Sequence, residues 1–416
     1  MQTLYLVVGS SHAALEAVEA IRMHDAQGSL TLLTRDPHLP YSPTLLPYVV
    51  SGRAAPERAW LRDERYFTDR EVRYLAGRTL AALHPDRGAA LLADGTEIRY
   101  DKVLLATGAA PVIPPIAGIA EVGYHVLRTL DDALKLKAAI AGSRRAVVVG
   151  GGLVGMHAAE HLVEAGADVT VVEVQPQVLG GYFDRRAAAI IEREFAGHGA
   201  RILAGRRVVG LARAAGATRV QLEGGEHLDA DLLLIAAGVR PQLSYLAGSG
   251  IEHADGVLVD DSMRASHASV WAAGDCAQAR DFYRDIAVLN PILPDAAEQG
   301  RIAGTAMAGD PSPRRYDGGV PLNTYRFFGR FAISVGQGAI MDGAEERVRV
   351  DEAAGCYLRV VFSQGRLQGI FGVGEFFDGG VMWQLIRRRV DMAGCMERLV
   401  ADPLATGREL MSRLWR

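Results

Sequence analysis

The run VVVGGGLVGMHAAEHL, residues 147–162, limits the possible folds more than any other part of the chain. A β-branched strand stops at Gly150, and Gly152 and Gly155 complete a G-x-G-x-x-G spacing before an apolar helical pattern begins. The first glycine permits the turn, the second lets the backbone approach a pyrophosphate, and the third lets the helix lie against the strand. The helix start, with Leu153 and Val154, then turns its free N–H groups toward the phosphates. DVTVVEVQP (168–176) supplies the next strand and ends it in Glu173. A carboxylate there accepts both hydroxyls of an adenosine ribose and repels a 2′-phosphate, and no arginine follows in VQPQ. The spacing predicts a site for NAD(H). The alternative is a glycine-rich turn without a ligand, which the complete strand–turn–helix–strand context argues against.

The same order occurs once more, near the N-terminus, in a degenerate form. VVGSSHAALEA has Gly9, Ser11 and Ala14 at the three glycine positions, with His12 and Ala13 opening the helix. The following strand, SLTLLTRDP, ends in Thr34 and Arg35 rather than in an acid, with Asp36 close by. Alone, this unit is as readily a bare turn as a ligand site. Two later segments favour a ligand. LLATG (104–108) is a strand running into Ala106, Thr107 and Gly108, small enough for backbone to pass a nucleotide. AAGDCA (272–277) sets Asp275 directly after Gly274 at a strand end, where a carboxylate can hold a polyol hydroxyl such as those of a flavin ribityl chain. The competing reading of Asp275 is a helix N-cap.

Short apolar runs that stop at glycine, LYLVVG (4–9), AVVVG (146–150) and DLLLIAAG (231–238), read as parallel strands buried on both faces. Two nucleotide-binding units are expected, the second inserted into the first. The Pro-rich stretch after LLATG marks one crossing, and residues 240–248 mark the other. After residue 312 the pattern changes to alternating strands such as RFAISVGQ (330–337) and YLRVVF (357–362). The expected fold is α/β, with two Rossmann-like dinucleotide-binding domains and a C-terminal α+β domain. The expected boundaries are 1–115 and 244–312 for the outer unit, 116–243 for the inserted unit, and 313–416 for the tail.

Charge and cysteine usage exclude several other classes. Lys+Arg 45 against Asp+Glu 49 leaves a net charge of -4, which argues against a nucleic-acid surface. The three cysteines, Cys276, Cys356 and Cys395, form no C-x-x-C pair and no cluster-binding run. No metal site is expected. No run reaches transmembrane length and the N-terminus enters a strand at once, so a cytoplasmic protein without a membrane span is expected.

Over residues 3–305 this order of motifs resembles the FAD/NAD-dependent pyridine nucleotide-disulfide oxidoreductases. The resemblance implies FAD held by Gly9, Ser11, His12, Ala13, Ala14, Thr34, Arg35, Pro43, Thr44, Ala106, Thr107, Gly108, Gly274 and Asp275. LRTLDDA (127–133) is similar to the family segment whose arginine, here Arg128, helps hold the flavin. PDAAEQGRIAG (294–304), which carries Glu298, resembles the helix pointed at the flavin pyrimidine, with Pro294 suited to its first turn. On the NAD side the implied residues are Gly150, Gly152, Leu153, Val154, Gly155, Glu173 and Gly238.

The chain departs from the family at two places. In YSPTLLPYVVSG (41–52), Thr44 stands where the coenzyme A-disulfide reductase and NADH oxidase branches carry a redox-active cysteine. A hydroxyl forms no disulfide, sulfenic acid or charge-transfer thiolate, so thiol exchange there is excluded. His157 stands where the family usually has a glutamate near the nicotinamide. Thr44 and His157 are the candidate catalytic positions, and a helix residue satisfied by its neighbours is the plainer reading of His157.

Residues 8–52 resemble more narrowly the flavin subunits of multisubunit 2-oxoacid dehydrogenases and of tungsten-dependent aldehyde oxidoreductases. This implies an electron-transfer module using FAD and NAD(H). Its partners would be an iron–sulfur subunit and the catalytic subunits that oxidise a 2-oxoacid such as phenylglyoxylate, or an aldehyde. A freestanding NADH oxidase or a ferredoxin or rubredoxin reductase would carry the same two sites. A flavin-bound redox sensor or scaffold is the rival of another class. The triplet Arg387, Arg388 and Arg389 reads either as an acidic-partner contact or as a solvated helix face, and NTYRFFGRF (323–331) as core packing.

Overall fold

The computed structural model describes residues 1–214, 216–312, 314–340 and 343–414. The chain packs as two compact units. One comprises Met1–Pro111, Arg128–Asp131 and Val239–Gly319, and the other Val112–Leu127, Asp132–Gly238 and Val320–Arg416. The changeovers at Pro111 and Gly238 precede the boundaries expected at 115 and 243. The last, at Gly319, follows the one expected at 312, whose first C-terminal residue, Pro313, lies outside the described residues.

The first unit is built on a seven-stranded sheet. Its order is Val72–Leu75, Leu30–Leu33, Gln2–Val8, Glu97–Leu105, Ala89–Leu92 and Leu80–His84, with Val270–Ala272 also paired to Glu97–Leu105. The run LYLVVG, which reads as apolar on both faces, falls in Gln2–Val8, a strand paired in parallel on both sides. Register aligns Leu33 with Val8, Val8 with Leu105, and Leu105 with Ala272. The carboxyl ends of four strands therefore stop on one row, and Gly9, Thr34, Ala106 and Ala273 all leave the sheet along the same edge.

Two helices, His12–His24 and Leu293–Ala308, pack against each other in this unit. Their contact is backbone-close: a Cβ on Gly300 would lie 2.2 Å from the carbonyl oxygen of Ala13. The apolar core on this side includes Val7, Ala14, Val18, Leu32 and Ile302. The two crossings run as an antiparallel ribbon, with Val239 opposite Pro111 and Arg240 opposite Ala110.

In the second unit a four-stranded parallel sheet follows the order Arg201–Ala204, Asp168–Glu173, Arg145–Val149 and Leu232–Ile235. Register again levels the strand ends, with Leu203, Val172, Val149 and Ile235 on one row. The tail forms a five-stranded antiparallel sheet with the helices Gly379–Arg387, Met396–Ala401 and Pro403–Leu414. Tyr325 and Phe327 of the aromatic run are buried in it, while Phe331 is 38% exposed. Among the described residues, no helix is long and apolar enough to cross a membrane, and no group of three His, Cys, Asp or Glu side chains is placed to hold a metal ion.

Candidate dinucleotide sites

In an open parallel sheet, ligands bind outside the carboxyl ends of the strands, where the chain order reverses. In the first unit that point lies between Gln2–Val8 and Glu97–Leu105. Gly9 adopts φ +126, and a Cβ there would lie 2.0 Å from the Ala106 carbonyl oxygen. No other residue type fits the crossing of these two segments.

Two cavities open along this edge and share Ser11, Pro43, Ala106, Gly108 and Arg128. The larger, 380 Å³, is lined by Gly9, Thr34, Arg35, Asp36, Tyr41 and Thr107, among others. The smaller, 130 Å³, is lined by His12, Ala13, Thr44, Gly274 and Asp275 along with the shared residues. The structure thus gathers on one surface nearly all the residues that the sequence assigns to FAD. Two stand outside the linings. Ala14 is fully buried in its helix, and Glu298 is 6% exposed and ion-paired with Arg314 at 2.9 Å.

The electrostatics of these cavities suit an anionic, polyhydroxylated ligand. The helices His12–His24 and Leu293–Ala308 both start without a side-chain cap, leaving first-turn N–H groups and the positive dipole end available. Ser11 and Leu293, at those helix starts, line the smaller cavity. Asp275 lies inside a single 3-10 turn, Gly274–Cys276, rather than capping a helix. Its carboxylate accepts a 2.8 Å hydrogen bond from the Arg128 guanidinium. Asp36 accepts from the Tyr41 hydroxyl at 2.5 Å. Tyr41 in turn accepts from the Leu130 N–H at 3.1 Å, and burial followed by the Asp36 bond raises its pKa.

Thr44 belongs to a short hydroxyl chain. Its Oγ1 lies 2.7 Å from Ser42 Oγ, which lies 3.0 Å from His12 Nε2. Burial is the main reason that the His12 pKa is lowered. No cysteine lines either cavity. Cys276 is fully buried, donates to the Leu105 carbonyl at 3.2 Å, and has its pKa raised by that burial.

The second unit carries its own cradle. Gly150 adopts φ +114, and a Cβ there would lie 2.3 Å from the Ala236 carbonyl oxygen. Gly152 faces open space, as a glycine must if a pyrophosphate is to approach. The helix Leu153–Glu164 begins at Gly152 without a side-chain cap. Glu173 accepts from the Gly151 N–H at 2.6 Å and the Gln175 N–H at 2.7 Å. A carboxylate has about four acceptor sites, so two remain for a ribose diol. A 550 Å³ cavity beside it is lined by Gly151, Gly152, Glu173, Gln175, Leu179 and Tyr182, among others.

Leu153, Val154 and Gly155 lie in the first turn of that helix, outside the lining. Gly238 lies apart, its carbonyl accepting from the Val112 N–H at 2.9 Å. His157 donates from Nδ1 to the Leu153 carbonyl at 3.0 Å and meets Tyr325 edge-on at 4.6 Å.

Sequence reasoning missed Ser42, Tyr41, Tyr245 and the loop through Leu179 and Tyr182. Ser42 was within reach, two residues before Thr44. Tyr245 comes from the second crossing and meets Thr107 Oγ1 at 3.0 Å, a contact that no local pattern announces.

Comparison with known proteins agrees with this geometry. Residues 3–306 match the family described as pyridine nucleotide-disulphide oxidoreductase. The chain is 59% identical over 415 residues to the NADH-dependent phenylglyoxylate dehydrogenase subunit epsilon of Aromatoleum evansii, covering 100% of this chain and 98% of that one. Among solved structures it is similar to the covalent putidaredoxin reductase–putidaredoxin complex, with TM-score 0.85, 25% identity, and coverage of 96% of this chain and 98% of that one. It is also similar to the ferredoxin reductase for the CYP199A2 system from Rhodopseudomonas palustris, with TM-score 0.81, 26% identity, and coverage of 89% and 91%. This chain belongs to the pyridine nucleotide-disulphide oxidoreductases and is an oxidoreductase that uses FAD and NAD(H).

Proposed function

We propose that this chain is the FAD-bearing NAD(H) oxidoreductase subunit of a larger cytoplasmic complex. It passes electrons from an iron–sulfur subunit to NAD+, while other subunits oxidise a 2-oxoacid such as phenylglyoxylate, or an aldehyde. The observation that carries this reading is the full-length, 59% identity to a subunit of an NADH-dependent phenylglyoxylate dehydrogenase. The site chemistry supports it: two separate dinucleotide cradles occur on one chain, and the position of the family's redox cysteine holds Thr44.

FAD, when bound, supplies a centre that exchanges a hydride with NAD(H) and single electrons with an iron–sulfur protein. The chain's residues bind and orient. Gly9 and the uncapped start of His12–His24 would hold the FAD pyrophosphate, Asp275 and Arg128 the polar chain beyond it, and the start of Leu293–Ala308 would favour negative charge. Gly150, Gly152 and Glu173 would hold NAD(H). Fixing both reactants in place is the main catalytic contribution expected of such residues.

The test is reconstitution. The isolated chain should oxidise NADH with an artificial dye and oxidise neither phenylglyoxylate nor an aldehyde. Addition of iron–sulfur and catalytic subunits should give substrate-dependent NAD+ reduction. Oxidation of either substrate by this chain alone would overturn the subunit reading. A freestanding reductase is the second reading, favoured by the similarity to the Rhodopseudomonas ferredoxin reductase over 89% of this chain. Purification of the native protein without iron–sulfur subunits would support it.

A further inference from the structure

The first residues of the helix Leu293–Ala308 belong to the wall of the smaller cavity, which Pro291, Ile292, Leu293 and Ala296 line. Asp295 is the acid of that first turn. It is 1% exposed and stands outside the lining, although Leu293 and Ala296 on either side of it belong to it. The residue therefore lies behind the wall, within a single turn, about 5 Å of helix, of groups that face the cavity.

Neutral donors hold this carboxylate. Its Oδ2 accepts from the Tyr316 hydroxyl at 2.9 Å and from the Asn290 side-chain amide. Such bonds favour the ionised form and leave its charge in place. Tyr316 is 1% exposed, and burial followed by the charge of Asp295 raises its pKa, so the hydroxyl keeps its proton. The backbone at Gly319 packs close against the same oxygen: a Cβ there would lie 2.2 Å from Asp295 Oδ2. Glu298, one turn further on, is instead ion-paired with Arg314 at 2.9 Å. Two opposing charges thus act at this helix start. The dipole supplies about half a positive unit, which favours a negatively charged cofactor. Asp295 supplies a full negative unit, which opposes it.

We propose that Asp295 sets the redox potential of the bound FAD, holding it lower than the helix start alone would. The proposal rests on the reading above, in which FAD passes electrons to NAD+. In that step one hydride moves from the reduced cofactor to NAD+, giving NADH and oxidised FAD. The hydride carries one negative charge away from the flavin and cancels the positive charge of the nicotinamide. A fixed carboxylate near the flavin raises the energy of its negatively charged reduced form and so makes it the stronger hydride donor. The plainer role of Asp295 is structural: it joins the loop at Asn290 to Tyr316 and would do so without regard to the cofactor.

Potentiometric titration of the FAD-loaded, full-length chain separates these roles. Asp295→Asn keeps the shape and an acceptor oxygen and removes the charge. Asp295→Ser removes it in a smaller side chain, so either variant that folds and binds FAD decides. The expected change is on the order of tenfold, what one unit charge does to another about 10 Å away at an effective dielectric constant of about 20. For a two-electron couple that is a rise in midpoint potential of about 30 mV. By the same cycle, the variant apoproteins should favour reduced over oxidised FAD about tenfold more than the wild-type apoprotein does. Melting temperature is followed alongside, because a purely structural role lowers it and leaves the potential where it was. That result, or a fall in potential, would overturn the proposal. A raised potential in the variants, with no NAD+ reduction by the wild-type complex reconstituted as above, would support the role of Asp295 and overturn the subunit reading instead.

Discussion

Arg128 and Asp275, 147 residues apart in sequence, meet as a 2.8 Å ion pair at the wall of the smaller cavity, with both side chains less than a quarter exposed. Each comes from a segment that the sequence assigns to FAD, one from the crossing and one from a strand end. Their pairing fixes the carboxylate at the cavity wall. Asp275→Ala removes that acceptor and leaves the guanidinium without its carboxylate. The expected loss of FAD affinity is about 1.5–3 kcal/mol, the range for a charged hydrogen bond, or roughly ten- to a hundredfold. Titration of apoprotein with FAD, followed by flavin fluorescence, measures it; wild-type affinity would remove Asp275 from the site.

Glu173 is expected to set cofactor choice. Its carboxylate is already fixed by two backbone N–H groups, so it holds its position before any ribose arrives. A 2′-phosphate would meet that charge at close range. Glu173→Ala combined with Val174→Arg should narrow the NADH-over-NADPH ratio of kcat/KM by about a hundredfold, close to 2.7 kcal/mol. Equal wild-type rates with NADH and NADPH would refute the ribose assignment.

Redox stoichiometry follows from the thiols. Thr44 cannot accept electrons, and Cys276 is fully buried, hydrogen-bonded and kept protonated by its surroundings. Anaerobic NADH titration should therefore take up one electron pair per FAD and stop. A second pair, or a long-wavelength thiolate-to-flavin band, would implicate Cys276.

Two histidines make the stability pH-dependent. Burial is the largest cause lowering the pKa of both His12 and His125, so the folded chain prefers them neutral. The unfolded chain protonates them near about pH 6.5. Their contribution is complete above that value and is lost as pH falls through the depressed folded-state pKa values. The melting temperature of the chain without FAD should fall between about pH 7 and pH 5, and that of His12→Asn should fall less over the same interval. An identical slope in the variant would show that His12 does not contribute.

The second cradle was legible because its signals are local, whereas the first, degenerate and with no acid closing its next strand, was read only with the help of LLATG and AAGDCA far along the chain. A strand that ends in glycine, a helix that starts three residues later and an acid closing the next strand are properties of contiguous chain. The strands Gln2–Val8 and Arg145–Val149 and the helix His12–His24 accordingly lie where the pattern places them, and the helix Leu293–Ala308 lies where the family resemblance implied one. The changeovers between units were less legible. The ribbon of Ala110–Pro111 with Val239–Arg240 pairs two segments that have no pattern of their own.

The sequence by itself determined the two strand–turn–helix units and the acid, Glu173, that closes the second unit's next strand; the comparison with the family's redox cysteine at Thr44 came from the resemblance. Backbone conformation and side-chain chemistry at single positions are enough for the units and the acid. Only the tertiary structure decided that Asp36 is clamped by Tyr41, that Arg128 faces Asp275, and that Ser42 joins His12 to Thr44. Those contacts depend on where loops of no fixed period are brought by the strands they connect. The register that levels Val8, Leu33, Leu105 and Ala272 sets the common edge from which those loops start.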